Sequence, residues 1–174
     1  RDLYIGIIVL ISFFFFSYRG YKGDQIAFKI AAISILFVAY FPTIIDYEGG
    51  ENCLEFMVTN RSFTVSRYIH NTSATIFFST LTYICLFLFT NPRYSNSQFK
   101  EAKLRRLLIK TCGFIMLFSV LFIIAFFVFK LHEIEVIKKL HLVFYLEVTA
   151  LASFSIAWLV KGRFIRSLEN NTPL

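Results

Sequence analysis

Five long apolar stretches occupy most of this chain, and they constrain its fold more than any other feature. They run over residues 3–18, 26–45, 68–90, 107–129 and 140–160. A helix needs about 20 mostly apolar residues to cross the hydrocarbon core of a bilayer, which is ~30 Å thick. The last four stretches reach that length and the first falls slightly short. The pattern therefore predicts a polytopic membrane protein with five helices in this chain.

The composition and the residue spacing both favour helices over a membrane β-barrel. Hydrophobic residues make up 57% of the sequence and charged residues 17%, whereas a soluble domain carries about a quarter charged residues. Barrel strands would alternate polar and apolar residues, which the run of four Phe at 13–16 does not do. We therefore predict an all-α fold, a single transmembrane helical bundle over residues 1–174, with residues 46–67 as an outer loop.

The basic residues predict an orientation rather than a nucleic-acid partner. The net charge is +7, but the Lys and Arg side chains flank the ends of the apolar stretches. Ten lie on one side and six on the other, so the positive-inside rule places the loop at 91–106 and the C-terminal tail in the cytoplasm. The basic side chains predicted to face anionic lipid there are Lys100, Lys103, Arg105, Arg106, Lys161 and Arg163.

This orientation leaves the first residue on the outside. The chain begins with Arg1 rather than Met and shows no signal-peptide pattern. We expect one further helix before Arg1, giving six helices in the full-length protein. A five-helix protein with a translocated N-terminus is the alternative.

A small set of polar side chains in the outer half of the predicted bundle marks a candidate functional site. These residues are Asp46, His70, Ser73, His141 and Glu147. Charged groups inside a bilayer are costly and usually face the bundle interior with a partner. Such a set can bind zinc through nitrogen and carboxylate ligands, or it can relay protons. The structural alternative is that both His residues cap helix ends and that Glu147 is neutral or hydrogen-bonded to a neighbouring helix.

Spacing within this set favours neither a metal nor a cofactor. No His-x-x-x-His or Cys-x-x-Cys pattern occurs, so we predict no cofactor, and zinc held by His70, His141, Asp46 and Glu147 is left as the alternative. We expect Glu147 to pair with His70 or Ser73. The third stretch carries many Thr and Ser side chains, which we predict to face the bundle interior because hydroxyls can bond to neighbouring helices.

Several short motifs occur together in a recognisable order. They lie at residues 1–6, 17–21, 39–43, 69–78, 112–113 and 157–162, with Glu147 before the last. They resemble a family of uncharacterised bacterial multi-pass proteins, described by a domain of unknown function and loosely related to the Frag/DRAM/Sfk-type membrane proteins. The resemblance implies a helical bundle in the bacterial inner (plasma) membrane and a helix before Arg1, but no reaction. The residues it singles out are Pro42, Thr43, His70, Ser73, Glu147, Trp158 and Lys161.

Two functional classes follow from these observations. The first is a non-enzymatic integral membrane protein that interacts with lipid, assists other membrane-protein subunits or handles a small solute. The second is an intramembrane lipid hydrolase, with or without a metal. We favour the first, because no phosphate-binding Gly-rich loop, nucleophile elbow or Ser/His/Asp spacing is present. Convergence of Asp46, His70, His141 and Glu147 on one point would favour the second.

Overall fold

The computed structural model describes residues 2–18, 24–41, 60–91, 100–129 and 142–162, which form helices joined to short turns. The helices are α1 (Asp2–Ser17), α2 (Asp24–Tyr40), α3 (Asn60–Tyr83), α4 (Lys100–Val128) and α5 (Leu142–Lys161). A π-helical segment, Ile84–Leu88, continues from α3. The described ranges contain no strand. The predicted all-α fold with five helices is confirmed.

Two helices begin earlier than the apolar stretches indicated. α3 starts at Asn60, so residues 60–67, which we predicted as the end of the outer loop, are helical. α4 starts at Lys100 rather than at residue 107. Polar residues can extend a helix beyond the bilayer because the helix satisfies its own backbone hydrogen bonds, and Lys, Glu, Ala, Leu and Arg all favour helix. Hydropathy marks the membrane-embedded part of a helix, not its full length.

Three of the described helices are long and apolar enough to cross a membrane. These candidate spans are Val65–Leu88, Lys103–Val128 and Leu142–Lys161. α1 contains a shorter apolar run, Ile5–Ser17, and the 17 residues of α2 extend over about 26 Å at 1.5 Å per residue. The structure therefore supports a membrane protein, with three spanning candidates where the sequence indicated five apolar stretches.

The chain divides into two compact units, Arg1–Phe77 and Phe78–Leu174, where we predicted one domain. The first unit contains α1, α2 and most of α3. The second contains the end of α3, the π-helical segment, α4 and α5. The division falls within α3, so this helix contributes residues to both units.

In the first unit, α1 and α2 pack side by side. Ala32 of α2 is fully buried, and small side chains allow the backbones of two helices to approach closely. Because the two helices are this close, the hydroxyl of Ser12 on α1 can donate a 2.8 Å hydrogen bond to the carbonyl oxygen of Ala32. The ring of Phe28 packs against Phe15 of α1 and against Tyr18, which follows α1, with ring centroids 5.7 Å and 4.3 Å away.

In the second unit, α4 packs against α5 and against the π-helical segment. The buried face of α5 follows helical spacing: Ala150, Ser153, Phe154, Ala157 and Val160. It includes the small-x-x-x-small pair Ser153 and Ala157, a spacing that favours close helix packing. α4 contributes buried side chains at Ile109, Cys112, Met116 and Val120.

The π-helical segment packs tightly against α4 at Gly113. The N–H of Phe89 donates to the carbonyl oxygen of Ile84 at 2.8 Å, which closes a turn one residue wider than an α-turn. Opposite it lies Gly113, where an added Cβ would be only 2.5 Å from Cδ2 of Leu86. A residue without a side chain fits this contact, and a larger one requires Leu86 to move.

Candidate functional site

His70 joins α3 to the C-terminal end of α2 within the first unit. Its Nδ1 lies 2.7 Å from the carbonyl oxygen of Phe41, the residue that follows α2. Because a carbonyl oxygen can only accept, Nδ1 carries the proton and donates. In the neutral ring, Nε2 is then left with its lone pair. The last carbonyl groups of a helix lack partners inside that helix, so His70 caps α2, in agreement with the structural alternative for this residue.

A cavity of about 420 Å³ lies between α2 and α3 in the same unit. Its apolar wall is formed by Ile33, Phe37, Ile69 and Ile76. Four hydroxyl side chains also line it: Ser34, Tyr68, Thr72 and Ser73. The site therefore combines an apolar wall with several hydrogen-bond donors, and His70 adjoins it on α3 between two lining residues.

Two residues of this cavity are largely buried, yet their hydroxyls make no hydrogen bond within the described part of the chain. Ser34 is 7% exposed and Ser73 is 9% exposed, and neither donates to any group in the described part of the chain. Seven other hydroxyls in the described ranges donate to the carbonyl four residues earlier. Thr75, close to Ser73 on α3, is one of them, at 2.8 Å from the oxygen of Asn71. The hydroxyls of the cavity thus remain available to an occupant.

The hydroxyl-rich face predicted for the third helix is only partly buried. Ser73 and Thr82 are buried, Thr80 is half-buried, and Thr72 and Ser79 are exposed. Thr82 donates to the carbonyl of Phe78 within its own helix, which satisfies its hydroxyl without a neighbouring helix. Local bonding of this kind explains why a Thr/Ser-rich helix need not direct every hydroxyl inward.

Glu147 lies half-buried on α5, in the second unit. None of the described residues of that unit forms a hydrogen bond or an ion pair with it. Its expected partners, His70 and Ser73, belong to the first unit, so the pairing stays a prediction.

The proposed zinc ligands are only partly within the described residues. Asp46 and His141 lie outside them. Among the residues that are described, no three His, Cys, Asp or Glu side chains come together in a group that could hold a metal ion. The zinc alternative needs Asp46 and His141, and it stays a prediction.

The basic candidates at the start of α4 have different surroundings. Lys100 is the first residue of α4, Lys103 is exposed, and Arg105 and Arg106 are half-buried. Helical continuity through this stretch places the basic side chains on the same rigid element as the apolar span that follows. Arg163 lies outside the described residues.

Lys161, the last residue of α5, makes a contact that the sequence did not predict. Its ammonium group donates to the carbonyl oxygen of Phe89 at 3.3 Å and lies 5.7 Å from the centroid of the Phe89 ring. The same ring meets Trp158 edge-on, with centroids 5.6 Å apart. Lys161 therefore ties the end of α5 to the residue that follows the π-helical segment.

Sequence reasoning identified Ser73 and His70 but missed Ser34 and Tyr68. A single Ser inside an apolar, Ala-rich helix is more simply interpreted as a small packing residue. Its place in a cavity depends on how α2 and α3 pack, which no local pattern encodes. The available signal was weak: Ser34 is the only Ser or Thr between residues 24 and 41 in the sequence.

Comparison with known proteins returns no match to a protein-family model, a curated protein or a solved structure. The fold and the cavity define the class as an all-helical membrane protein with a small hydroxyl-bearing cavity. The resemblance to the bacterial multi-pass family stays a prediction.

Proposed function

We propose that this chain is a non-enzymatic integral membrane protein that binds a lipid or a small solute in the cavity between α2 and α3. The observation that carries the proposal is the pair of largely buried residues Ser34 and Ser73, whose hydroxyls line the cavity without an acceptor. A hydroxyl in apolar surroundings without a hydrogen bond costs roughly 1–3 kcal/mol in proteins. An occupant with acceptor atoms would remove that cost at both positions.

His70 supports the proposal as a positioning residue. Its hydrogen bond to Phe41 joins α3 to the end of α2, the two helices that line the cavity. Phe41 in turn stacks on Phe37, a lining residue, with ring centroids 6.0 Å apart. His70 thus holds the cavity walls without needing to touch the occupant.

We place the cavity in the outer half of a bacterial inner (plasma) membrane protein, with the loop at 91–106 and the C-terminus in the cytoplasm. The distribution of basic residues supports this orientation. Membrane lipids are the expected partners, with other membrane-protein subunits as further ones. Nucleic acid is not expected, because the basic residues flank apolar helices rather than forming a separate basic face.

An intramembrane lipid hydrolase is the second candidate, and one observation favours it. With Nδ1 donating to a carbonyl, His70 has the fixed tautomer that orients Nε2 as a base or a metal ligand. In this candidate Ser73, one turn away on α3, lies near that base. We rank it second because Asp46, His141 and Glu147 would have to complete the site.

The proposal is tested by identifying what co-purifies with the full chain. The protein is extracted in mild detergent, and bound lipids and small molecules are identified by mass spectrometry. We expect one species at a fixed ratio to protein, which is lost in Ser73→Leu because the larger apolar side chain removes the donor and intrudes into the cavity. Ser155→Leu is the matched control, because Ser155 is exposed and bonded to its own helix. Ser73→Ala serves if the Leu variant does not fold.

An identical set of bound molecules in wild type, Ser73→Leu and Ser73→Ala would contradict the proposal. Turnover of an added phospholipid by the wild type, lost in Ser73→Ala, would instead favour the hydrolase.

A further inference from the structure

The unpaired hydroxyls lie at a depth in the membrane that restricts what can bind them. The candidate span of α3 is Val65–Leu88, and its midpoint falls next to residue 76. At 1.5 Å per residue, Ser73 is about 5 Å from that midpoint along the helix axis. Ser34 lines the same cavity as Ser73. The α3 residues that line this cavity, from Tyr68 to Ile76, all lie within about 13 Å of the midpoint, so both donors lie inside the hydrocarbon region.

This depth is unsuitable for the polar part of a phospholipid. The hydrocarbon core is ~30 Å thick, so its edge lies about 15 Å from the centre. Phosphate and ester groups remain near that edge, because moving them inward removes their hydration. Of the four lining hydroxyls, only that of Tyr68 approaches the edge, about 13 Å from the midpoint of α3. A lipid that pairs with Ser34 and Ser73 therefore needs an acceptor that resides in the hydrocarbon region.

We propose that the cavity binds an isoprenoid quinone, a lipid whose head is an apolar ring with carbonyl acceptors and no charged group. The proposal rests on the proposed function and names the lipid class for the same cavity. Ring carbonyls can accept hydrogen bonds from the Ser34 and Ser73 hydroxyls. The ring itself packs against Phe37, Ile69 and Ile76 on the wall.

The size and form of the cavity agree with this occupant. Its volume of about 420 Å³ lies within the range of small-molecule sites, roughly 300–1,000 Å³. The cavity is open rather than enclosed, so an isoprenoid tail can leave it. A ring head with its tail outside agrees with both the volume and the opening of the cavity. A small solute without a tail agrees with the volume only.

The test uses the full chain in phosphatidylcholine nanodiscs and a benzoquinone probe with a decyl tail. Its carbonyl carbons are labelled with ¹³C, so that infrared difference spectra report hydrogen bonding to the carbonyl groups. We expect saturable binding and a carbonyl band shifted to lower frequency. Ser34→Ala and Ser73→Ala should each weaken binding by roughly threefold to tenfold, the range for loss of one hydrogen bond. The band shift should disappear in the double variant.

Two controls separate recognition of the carbonyl groups from general partitioning. Thr75→Val removes a hydroxyl on α3 that bonds its own helix, so probe binding should be unchanged. A decylbenzene probe has the same tail and no carbonyl, and it should show no saturable binding. Thermal unfolding of each variant confirms that its fold is retained.

The quinone assignment would be overturned if the probe showed no saturable binding. It would also be overturned if the double variant bound the probe with the same affinity as the wild type and showed the same carbonyl band. If another molecule still co-purifies in a Ser73-dependent manner, the proposed function stands and only the quinone assignment fails. If no molecule binds, both fail. A change in oligomeric state on Ser34→Ala/Ser73→Ala, without an effect on the probe, would assign the cavity to a neighbouring protein helix and overturn the proposal.

Discussion

The two ring nitrogens of His70 have different roles. Nδ1 is committed to the carbonyl of Phe41, and that bond determines which tautomer the ring adopts. Nε2 is left for any further role, as a base, a ligand or an acceptor. A substitution that distinguishes the two nitrogens can therefore separate a structural function from a chemical one at a single residue.

We predict that His70→Asn retains stability and that His70→Gln does not. Asn carries its amide nitrogen near the position of Nδ1, so it can still donate to Phe41, whereas Gln carries it near Nε2. Loss of the cap leaves a carbonyl unpaired and should lower the unfolding free energy by about 1–3 kcal/mol. Thermal unfolding in detergent measures the difference. A Gln variant as stable as the wild type would show that the cap contributes nothing.

Gly113 tests the contact between α4 and the π-helical segment. We predict that Gly113→Ala destabilises the protein by about 1–3 kcal/mol, the usual cost of overpacking, because the new Cβ would lie 2.5 Å from Cδ2 and 2.8 Å from Cγ of Leu86. Gly6→Ala is the matched control on α1, where no atom lies within 4 Å, and it should be neutral or stabilising. Equal melting temperatures for Gly113→Ala and wild type would mean that Leu86 moves aside without cost.

At the scale of helices, the sequence predicted which helices exist better than it predicted where each helix begins. The five apolar stretches correspond to α1 through α5, because a long apolar run in a bilayer has few alternatives to a helix. The polar starts of α3 and α4 were missed, since hydropathy reports the lipid-facing part alone. The cavity was not predictable, because the positions of Ser34 and Ser73 depend on how two separate helices pack.

Lys161 stabilises the second unit by connecting two elements. We predict that Lys161→Met lowers the unfolding free energy by about 1–3 kcal/mol, because it removes a charged hydrogen bond to Phe89 and the cation–π contact. Lys29→Met is the control: Lys29 is exposed and lies 6.0 Å from the centroid of the Phe16 ring, so we expect a change within ~0.5 kcal/mol. Chemical denaturation in detergent compares the two. A similar loss in both variants would assign the effect to charge alone.

For the whole molecule, the open prediction is the orientation of the chain in the membrane. The three Cys residues provide a direct measurement, because Cys85 and Cys112 are buried and Cys53 belongs to the predicted outer loop. A membrane-impermeant maleimide should label wild-type Cys53 in intact cells. In a Cys53→Ser background, Ser95→Cys should be labelled only after lysis. The reverse pattern would invert the orientation and place the cavity in the cytoplasmic half.

The wide turn at Ile84–Leu88 determines the direction in which the residues after it project from the helix. Each residue in a helix rotates the chain by about 100°, so the extra residue in the turn sets the angular phase of all that follows. Phe89 reaches Trp158 and the ammonium group of Lys161 only at this phase. If the same residues formed an ordinary α-helix, the N–H of Phe89 would bond to Cys85 instead of Ile84, and Phe89 would be rotated by about 100° away from both groups. For this segment, the form of the backbone turn is as strict a requirement as side-chain identity.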